Sequence, residues 1–391
     1  MEQVLYKLPD GWEWLSFDSL VENLDGKRIP IKTSERSKDN AFYPYYGASG
    51  IIDYVDDYIY EGEKLLISED GANLVARKYP IAFLADGKYW VNNHAHVVDA
   101  YKEKTSNKYL SYFFAILDLS SFITGSAQPK LSQKKLNSIK IAVAPIEEQK
   151  RIVEKLDALL SRIDTAIEHL QESVALADAL SKNGLFEIFE GLKHSYEVVP
   201  LSSVVKINSG IALPKLFKNG FSDGDIPFFK VAQMNNHHET MVAPEITFNE
   251  TVAKEHKIKL FPKGSTLIPK RGGAILTNKK RMLLEDASYD SNIMGLKADE
   301  SKISDDYLFA FMRTIDLANF VDASTIPQVN NKHIDQMQIP LASIEEQSDV
   351  VSRVNLLVKK VESVNSEIQT QLNDLLALKN SILNSAFKGE L

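Results

Sequence analysis

Ile146-Glu147-Glu148-Gln149 returns as Ile344-Glu345-Glu346-Gln347, 198 residues further on, and the stretch after each copy decides the architecture. At that same spacing Ile152, Leu156, Leu159, Ile163, Ala166, Leu170, Ala177 and Leu180 stand opposite Val350, Val354, Leu357, Val361, Val364, Ile368, Leu375 and Leu378. Apolar positions alternating four and three residues apart form the seam along which two helices pack as a coiled coil. Pro145 stands just before the first helix, where its missing N–H costs nothing, and Ser343 offers the second an N-cap. Each copy runs about 45 residues, which at ~1.5 Å per residue makes a rod about 65 Å long. Leu378–Gly389 matches Leu180–Gly191, so the second rod is expected to run as far as the first. A stiff rod present twice separates whatever sits at its ends.

Outward from the rods, the preceding stretches also repeat. Trp12–Val21 matches Tyr196–Val205, and Gly26 falls opposite Gly210. Tyr43-Pro44-Tyr45-Tyr46 parallels Ile226-Pro227-Phe228-Phe229, a proline-led aromatic strand start. Gly62-Glu63-Lys64-Leu65-Leu66 parallels Gly264-Ser265-Thr266-Leu267-Ile268, each a turn followed by a buried strand, with Gly71 and Gly273 at turns or close approaches. The spacing wanders here, so the framework repeats while the loops diverge. From Tyr109 and Tyr307 it locks at 198. Amphipathic helices are predicted over Tyr109–Ile123 and Tyr307–Val321, carrying the aligned Asp118 and Asp316. Polar turns follow at Thr124–Pro129 and Asp322–Pro327, then short helices over Ser132–Leu136 and Asn330–Ile334. Strands at Ile139–Val143 and Met337–Leu341 lead into the rods. The expected fold is α+β, a tandem repeat of two similar, mainly β domains with helices. Its divisions are 1–145, 146–192, 193–343 and 344–391, the second and fourth being the rods.

At 391 residues, 44% hydrophobic and 25% charged, the chain has the composition of an ordinary soluble protein with room for more than one core. It has no cysteine, which excludes disulfides and thiolate chemistry. No secretory signal opens it and no apolar run is long enough for a bilayer, so the expected compartment is the cytoplasm, without a membrane partner. The net charge of −8 argues mildly against nucleic acid. The charges are segregated, however. Lys27, Arg28, Lys32, Arg36 and Lys38 cluster in the first globular stretch, and Lys270, Arg271, Lys279, Lys280 and Arg281 in the second.

Enzyme signatures are missing. There is no Asn/Asp-Pro-Pro-aromatic motif, no Gly-x-Gly-x-x-Gly, no P-loop and no Gly-x-Ser-x-Gly elbow. The triplets Glu148-Gln149-Lys150 and Glu255-His256-Lys257 lack the preceding Pro-Asp of a nuclease strand, so no catalytic residue is assigned. His94 and His96 share a face if Trp90–Val98 is one strand, a geometry metals use. Their counterparts Asn292 and Met294 cannot form an equivalent site, and His237-His238 has no acidic partner nearby in sequence, so no metal site is assigned. Nucleic-acid reading, which the segregated cations leave open, needs cations for phosphates and planar polar groups for base edges. Candidates are Lys27, Arg28, Lys32, Asn92, Asn93, His94, Gln128 and Lys130 in the first repeat. In the second they are Lys270, Arg271, Lys279, Arg281, Ser291, Asn292, Gln328 and Asn330.

The Ile-Glu-Glu-Gln rod starts, each after a short strand, resemble those of the specificity subunit of type I restriction–modification systems. So do Tyr43–Gly50 and the terminal Leu378-Lys379-Asn380-Ser381-Ile382-Leu383-Asn384-Ser385-Ala386-Phe387-Lys388-Gly389-Glu390-Leu391. The resemblance covers essentially the whole chain. It implies two target-recognition domains, each reading half of a bipartite site in double-stranded DNA. It also implies an antiparallel coiled coil with pseudo-two-fold symmetry that sets the gap between the halves. The partners it implies are two DNA-adenine methyltransferase subunits and the restriction/translocase subunits. This chain is then non-catalytic and holds no cofactor; S-adenosylmethionine belongs to the methyltransferases, ATP and Mg to the restriction subunits. From the residues alone a different class stays open, a structural adaptor that binds proteins through two duplicated domains.

Overall fold

The computed structural model describes residues 3, 5–36, 41–125, 127–322 and 326–391. Two compact units result: Met1–Gln171 with Gln369–Leu391, and Glu172–Ile368. Neither is bounded by the ends of a rod, since each long helix is shared out between them.

In the first unit β1 (Glu13–Ser16) pairs antiparallel with β10 (Lys140–Val143), closing the globular part just before the long helix. Between them β2 (Val21–Asn23), β9 (Ala95–Ala100), β6 (Lys64–Ser68) and β7 (Ala82–Ala85) form one four-stranded sheet in that order. A second sheet runs β4 (Gly50–Val55), β3 (Tyr43–Gly47), β8 (Lys88–Val91) and β5 (Tyr60–Glu61). Helices α1 (Asn73–Ala76), α2 (Asn107–Ile116) and α3 (Gln133–Asn137) complete it. The apolar face of α2 (Tyr109, Leu110, Phe113, Phe114) buries against Phe17, Leu65 and Val98 in the main core.

The second unit repeats the plan. β11 (Val198–Pro200) pairs with β20 (Gln338–Pro340). One sheet runs β12 (Val205–Ser209), β19 (Ile293–Ala298), β16 (Thr266–Pro269) and β17 (Arg281–Met282). The other runs β13 (Phe221–Ser222), β15 (Ile246–Phe248), β14 (Ile226–Phe229) and β18 (Ser288–Tyr289). α5 (Glu250–Glu255), α6 (Asp305–Thr314) and α7 (Asn331–Gln336) occupy the connections.

The long helices are α4 (Ile146–Lys193) and α8 (Ile344–Phe387), and each contributes to both units. In the first unit Arg151 NH2 donates to Leu391 C=O at 2.7 Å and Lys379 Nζ donates to Asp164 Oδ1 at 2.6 Å. In the second, Asn365 Nδ2 donates to Asp178 Oδ1 at 3.0 Å, and Leu357 packs so close to Gly184 that an added Cβ would sit 2.8 Å from its methyl. Within each unit the pair is therefore antiparallel. The ends dock on the short helices in matching ways. Phe387 wedges between Tyr109 and Phe113, with ring centroids 5.1 and 5.2 Å away. Phe189 does the same between Tyr307 and Phe311, at 5.5 Å from each.

The repeated glutamine explains the rod start. Gln149 is buried; its Oε1 accepts from Thr105 Oγ1, and its Nε2 donates to Lys104 and Ala144 C=O, all at 2.8 Å. Gln347 accepts from Ser304 N–H at 2.8 Å and donates to Lys302 and Ala342 C=O at 2.9 Å. Each clips the first turn of its helix to the loop before the short helix and to the strand it follows. Ser343 Oγ caps α8, accepting from Glu346 N–H at 3.3 Å.

Four expectations are corrected. The short helices begin earlier and stop sooner than Tyr109–Ile123 and Tyr307–Val321. Ser106 and Ser304 cap them, each accepting at 3.1 Å, and cations stop them, Arg77 on Ala115 and Leu117 C=O and Lys280 on Ile315 C=O. Asp118 and Asp316 then start new turns by accepting from Ser120 and Ala318 N–H. The buried stripe of α4 is Ile152, Leu156, Leu160 and Ile163, with Leu159 and Leu170 only half-buried, because its first turns pack into a globular core rather than along a 3.5-residue seam. On α8, Val350, Val354 and Ile368 are buried and Leu357 and Val361 half-buried, but Val364 and Leu378 face outward, 46% and 47% exposed, as does Leu180 on α4 at 66%. Strand β6 matches β16 at a spacing of 201, not 202: Leu65 pairs with Val98 as Thr266 pairs with Leu296, each two residues before the alanine that ends its partner strand. One residue of slip reverses which side chains face the core. The glycine equivalent to Gly71 is accordingly Gly272, both at positive φ (+105° and +76°), and not Gly273.

Candidate nucleic-acid interface

In the first unit four stretches far apart in sequence are tied together at the end of β6. Gly71 N–H donates to Pro129 C=O at 3.0 Å, Leu131 N–H to Glu69 C=O at 2.7 Å, and Glu69 N–H to His94 C=O at 2.9 Å. His96 brings in the fourth: Nδ1 lies 2.7 Å from Asp25 Oδ2 and Nε2 lies 2.8 Å from Leu131 C=O. The second unit uses the same stitching. Gly272 N–H donates to Pro327 C=O at 2.9 Å, Val329 N–H to Lys270 C=O at 3.0 Å, and Lys270 N–H to Asn292 C=O at 2.7 Å. The backbone is thus held alike while the side chains on it differ.

Their charges are opposite. Lys270 stands where Glu69 stands and Arg271 where Asp70 stands, while Met294 replaces His96 and Gln328 replaces Lys130. In the first unit Arg28 NH1 donates to Glu69 Oε2 and to Ala95 C=O, both at 2.7 Å, with NH2 3.3 Å from Asp25 Oδ2. Lys130 Nζ lies 3.1 Å from Glu69 Oε1. Burial opposes ionisation of both carboxyls, but it is outweighed. The His96 contact, Val97 N–H and Arg28 hold Asp25 below the ordinary carboxylate range, and Arg28, His96 and Lys130 do so for Glu69. Asp25, Glu69 and His96 approach closely enough to ligate a cation, yet both carboxylates already have Arg28, and Glu69 also has Lys130. In the second unit Lys270 Nζ donates to Ser209 Oγ at 3.0 Å, and Arg271 is exposed.

The candidate side chains fall into three groups. Exposed on the converged surface are Lys27, Asn93, His94, Gln128 and Lys130, and Arg271, Ser291 and Asn292, with Lys270 and Gln328 half-buried beside them. His94 Nδ1 also meets Asp70 Oδ1 at 2.8 Å. A second group is structural. Asn92 is buried and accepts from His94 N–H at 2.8 Å to shape the turn, as Asp290 does for Asn292. Arg28 is spent in the ion network above, and Asn330 caps α7, accepting from Lys332 N–H at 3.0 Å. A third group lies elsewhere. Lys32 is exposed, 3.5 Å from Glu35. Lys279 donates to Asn235, and Arg281 is buried, donating from Nε to Met234 C=O at 2.8 Å. Arg281 is therefore corrected from surface cation to core anchor. Lys38, Ser126 and 323–325 lie outside the described residues.

Two histidine readings change. His94 and His96 do not share a strand face, because β8 ends at Val91 and β9 begins at Ala95. His238 does have acidic neighbours: Glu239 follows it directly and Glu362 of α8 lies 2.7 Å away, the three approaching as closely as Asp25, Glu69 and His96 do. Sequence reasoning missed Asp25, Glu69 and Asp70. The signal was there, since an acid pair ends β6 where a basic pair ends β16, but the wandering spacing concealed the match. Among the described residues no helix is long and apolar enough to cross a membrane.

Comparison with known proteins fits this geometry. The model of the type I restriction modification DNA specificity domain matches residues 9–175 and again 193–374. A Haemophilus influenzae protein named as a putative type I restriction enzyme specificity subunit is 30% identical over 376 residues, 93% of this chain and 91% of its own. The EcoDI specificity subunit of Escherichia coli is 21% identical over 426 residues, 98% and 90% of the two chains. A solved structure concerned with complex assembly and conformational transition of the type I R-M system contains a chain that shares the fold. Its TM-score is 0.75 at 20% identity, covering 99% of this chain and all of that one. Two matched specificity domains, each on the same stitched framework, place this chain in the type I restriction–modification specificity family, as its non-catalytic DNA specificity subunit.

Proposed function

We propose that each repeat reads one half of a bipartite DNA site through the converged surface at the end of its β6 or β16 strand. In this reading the paired long helices set the gap between the halves and dock two DNA-adenine methyltransferase subunits, and restriction/translocase subunits join to cleave. S-adenosylmethionine is then held by the methyltransferases, ATP and Mg by the restriction subunits. The observation that carries the reading is a shared backbone scaffold displaying unlike side chains: Asn93, His94 and Lys130 on one repeat, Arg271, Asn292 and Gln328 on the other. A common frame with variable polar display is what reading two different sequences requires.

The test is methylation-sensitive sequencing of host genomes that carry the full system with Arg271→Ala or with Asn93→Ala plus His94→Ala. Lost base contacts cost about 1–3 kcal/mol each, so each variant should relax one half-site and leave the other strict. Relaxation of both halves by either variant, or of neither by both, would refute the assignment.

A further inference from the structure

The repeats differ most in one insertion. The chain from Phe229 to Leu267 is eighteen residues longer than its counterpart from Tyr46 to Leu66. Part of that extra chain lies against β17 through one isolated bridge. Met282 N–H donates to Glu239 C=O at 2.8 Å, Met241 N–H donates to Met282 C=O at 3.0 Å, and Thr240 bridges Met282 in parallel sense. Side chains anchor it: Glu239 pairs with Arg313 on α6, His238 lies 2.7 Å from Glu362 on α8, and Met241 is buried beside Met234 and Leu283.

The same edge in the first unit is β7. Ser68 N–H donates to Ile81 C=O at 2.8 Å, and opposed residues of an antiparallel ladder alternate between bonded and unbonded pairs. Phe83 and Ala85 therefore bond to β6, while Ala82 and Leu84 turn their N–H and C=O groups outward. Leu84 pairs with Leu65 as Met282 pairs with Thr266, so it occupies the place of Met282. Among the described residues nothing hydrogen-bonds to the Leu84 backbone groups. Beside the start of β7 a cavity of about 940 Å³ opens, lined among others by Tyr79, Ala82, Tyr112 and Leu376. Ala115 and Asp164, which stand at the places of Arg313 and Glu362, line it too. Its rim carries Arg77, Lys78, Lys108 and Lys379 against Asp157, Asp164 and Glu168; Lys108 pairs with Asp157 and Lys379 with Asp164, while the exposed Lys78 has no ion pair among the described residues.

We infer that the β7 edge and the cavity beside it form a docking site for an extended segment of a partner protein. The segment adds as a parallel strand and carries an acidic residue followed two positions on by a large apolar one. The second repeat shows such a segment bridged to the equivalent edge, and the exposed Lys78, unpaired among the described residues, offers the acid a partner. An unpaired strand edge is a ready template for this kind of addition. The consequence is an asymmetric subunit: the first repeat can accept a strand that the second already supplies for itself.

The experiment uses the full chain and a synthetic peptide of its own residues 236–245 as probe, read by amide hydrogen exchange over 82–85. Saturable binding with slowed exchange at Leu84 is expected. Leu84→Pro, which deletes an outward N–H that an edge strand tolerates losing, should abolish it. Leu84→Ala should bind like the parent. Ala115→Arg, which restores the Arg313 contact, should tighten binding by about threefold. No protection at millimolar peptide, protection unaffected by Leu84→Pro in a folded variant, or protection by duplex DNA in place of peptide would each overturn the inference.

Discussion

Gln149→Ala probes the joint between globular domain and rod. The side chain is 2% exposed and makes three hydrogen bonds, to Thr105 Oγ1, Lys104 C=O and Ala144 C=O, each at 2.8 Å. Its loss leaves a hydroxyl and two carbonyls without a partner, at roughly 1–1.5 kcal/mol apiece, or about 4 kcal/mol in all. Two effects offset this: alanine recovers up to ~1.5 kcal/mol of side-chain entropy and a few tenths of a kcal/mol of helix propensity. A net destabilisation of about 2 kcal/mol is expected, and the same for Gln347→Ala, whose three bonds are 2.8–2.9 Å. Urea unfolding followed by tryptophan fluorescence measures it, since Trp12 and Trp14 pack against the core that holds this joint. Gln149→Glu should cost more, because a carboxylate cannot donate to the two carbonyls it faces. A Gln149→Ala variant within about 0.5 kcal/mol of the parent, at unchanged denaturant slope, would show that the glutamine does not hold the joint.

Burial lowers Lys280 from 10.5 to about 8. Between about pH 8 and 10.5 the unfolded chain then binds the extra proton, so stability should rise with pH by at most about 3 kcal/mol. Lys280→Met should remove that rise in urea titrations at pH 8, 9 and 10; an unchanged slope would place the lysine in water. Inserting four residues into each long helix lengthens it by about 6 Å, at most about two base pairs of axis, and sequencing of the methylated sites should show a spacer longer by no more than that. An unchanged spacer would remove the helices from setting the gap. At a net charge of −8 the isolated chain should bind DNA weakly and bind strongly with methyltransferase subunits present; tight, salt-insensitive binding by the chain alone, in a filter or fluorescence titration, would contradict this.

The duplication, the rods and the strand that leads into each were legible because the 198-residue spacing holds over the whole second half of each repeat. The role of the glutamine in Ile-Glu-Glu-Gln was not, since its three partners lie in a loop and a strand that only the fold brings together. Periodicity ran the short helices past Ile116 and Thr314, because the cations that stop them, Arg77 and Lys280, come from distant turns. It also counted Leu180 and Leu378 into the seam, although both face outward. At the proposed DNA-reading surface, residue type picked out the exposed Asn93, Lys130 and Arg271 but could not separate them from the buried Asn92 and Arg281. Asn92 serves its own turn, and Arg281 lies beneath an insertion the other repeat lacks.

The wedge of Phe387 between Tyr109 and Phe113, mirrored by Phe189 between Tyr307 and Phe311, bears on what happens when the gene is split. A product ending at Lys193 keeps an aromatic cleft on α2 whose plug is encoded downstream, and keeps a plug on α4 whose cleft is encoded downstream. Two such half-length products hold complementary vacancies, each owning the tail the other needs. Truncation at that point should therefore yield a self-associating species and not an isolated folded half.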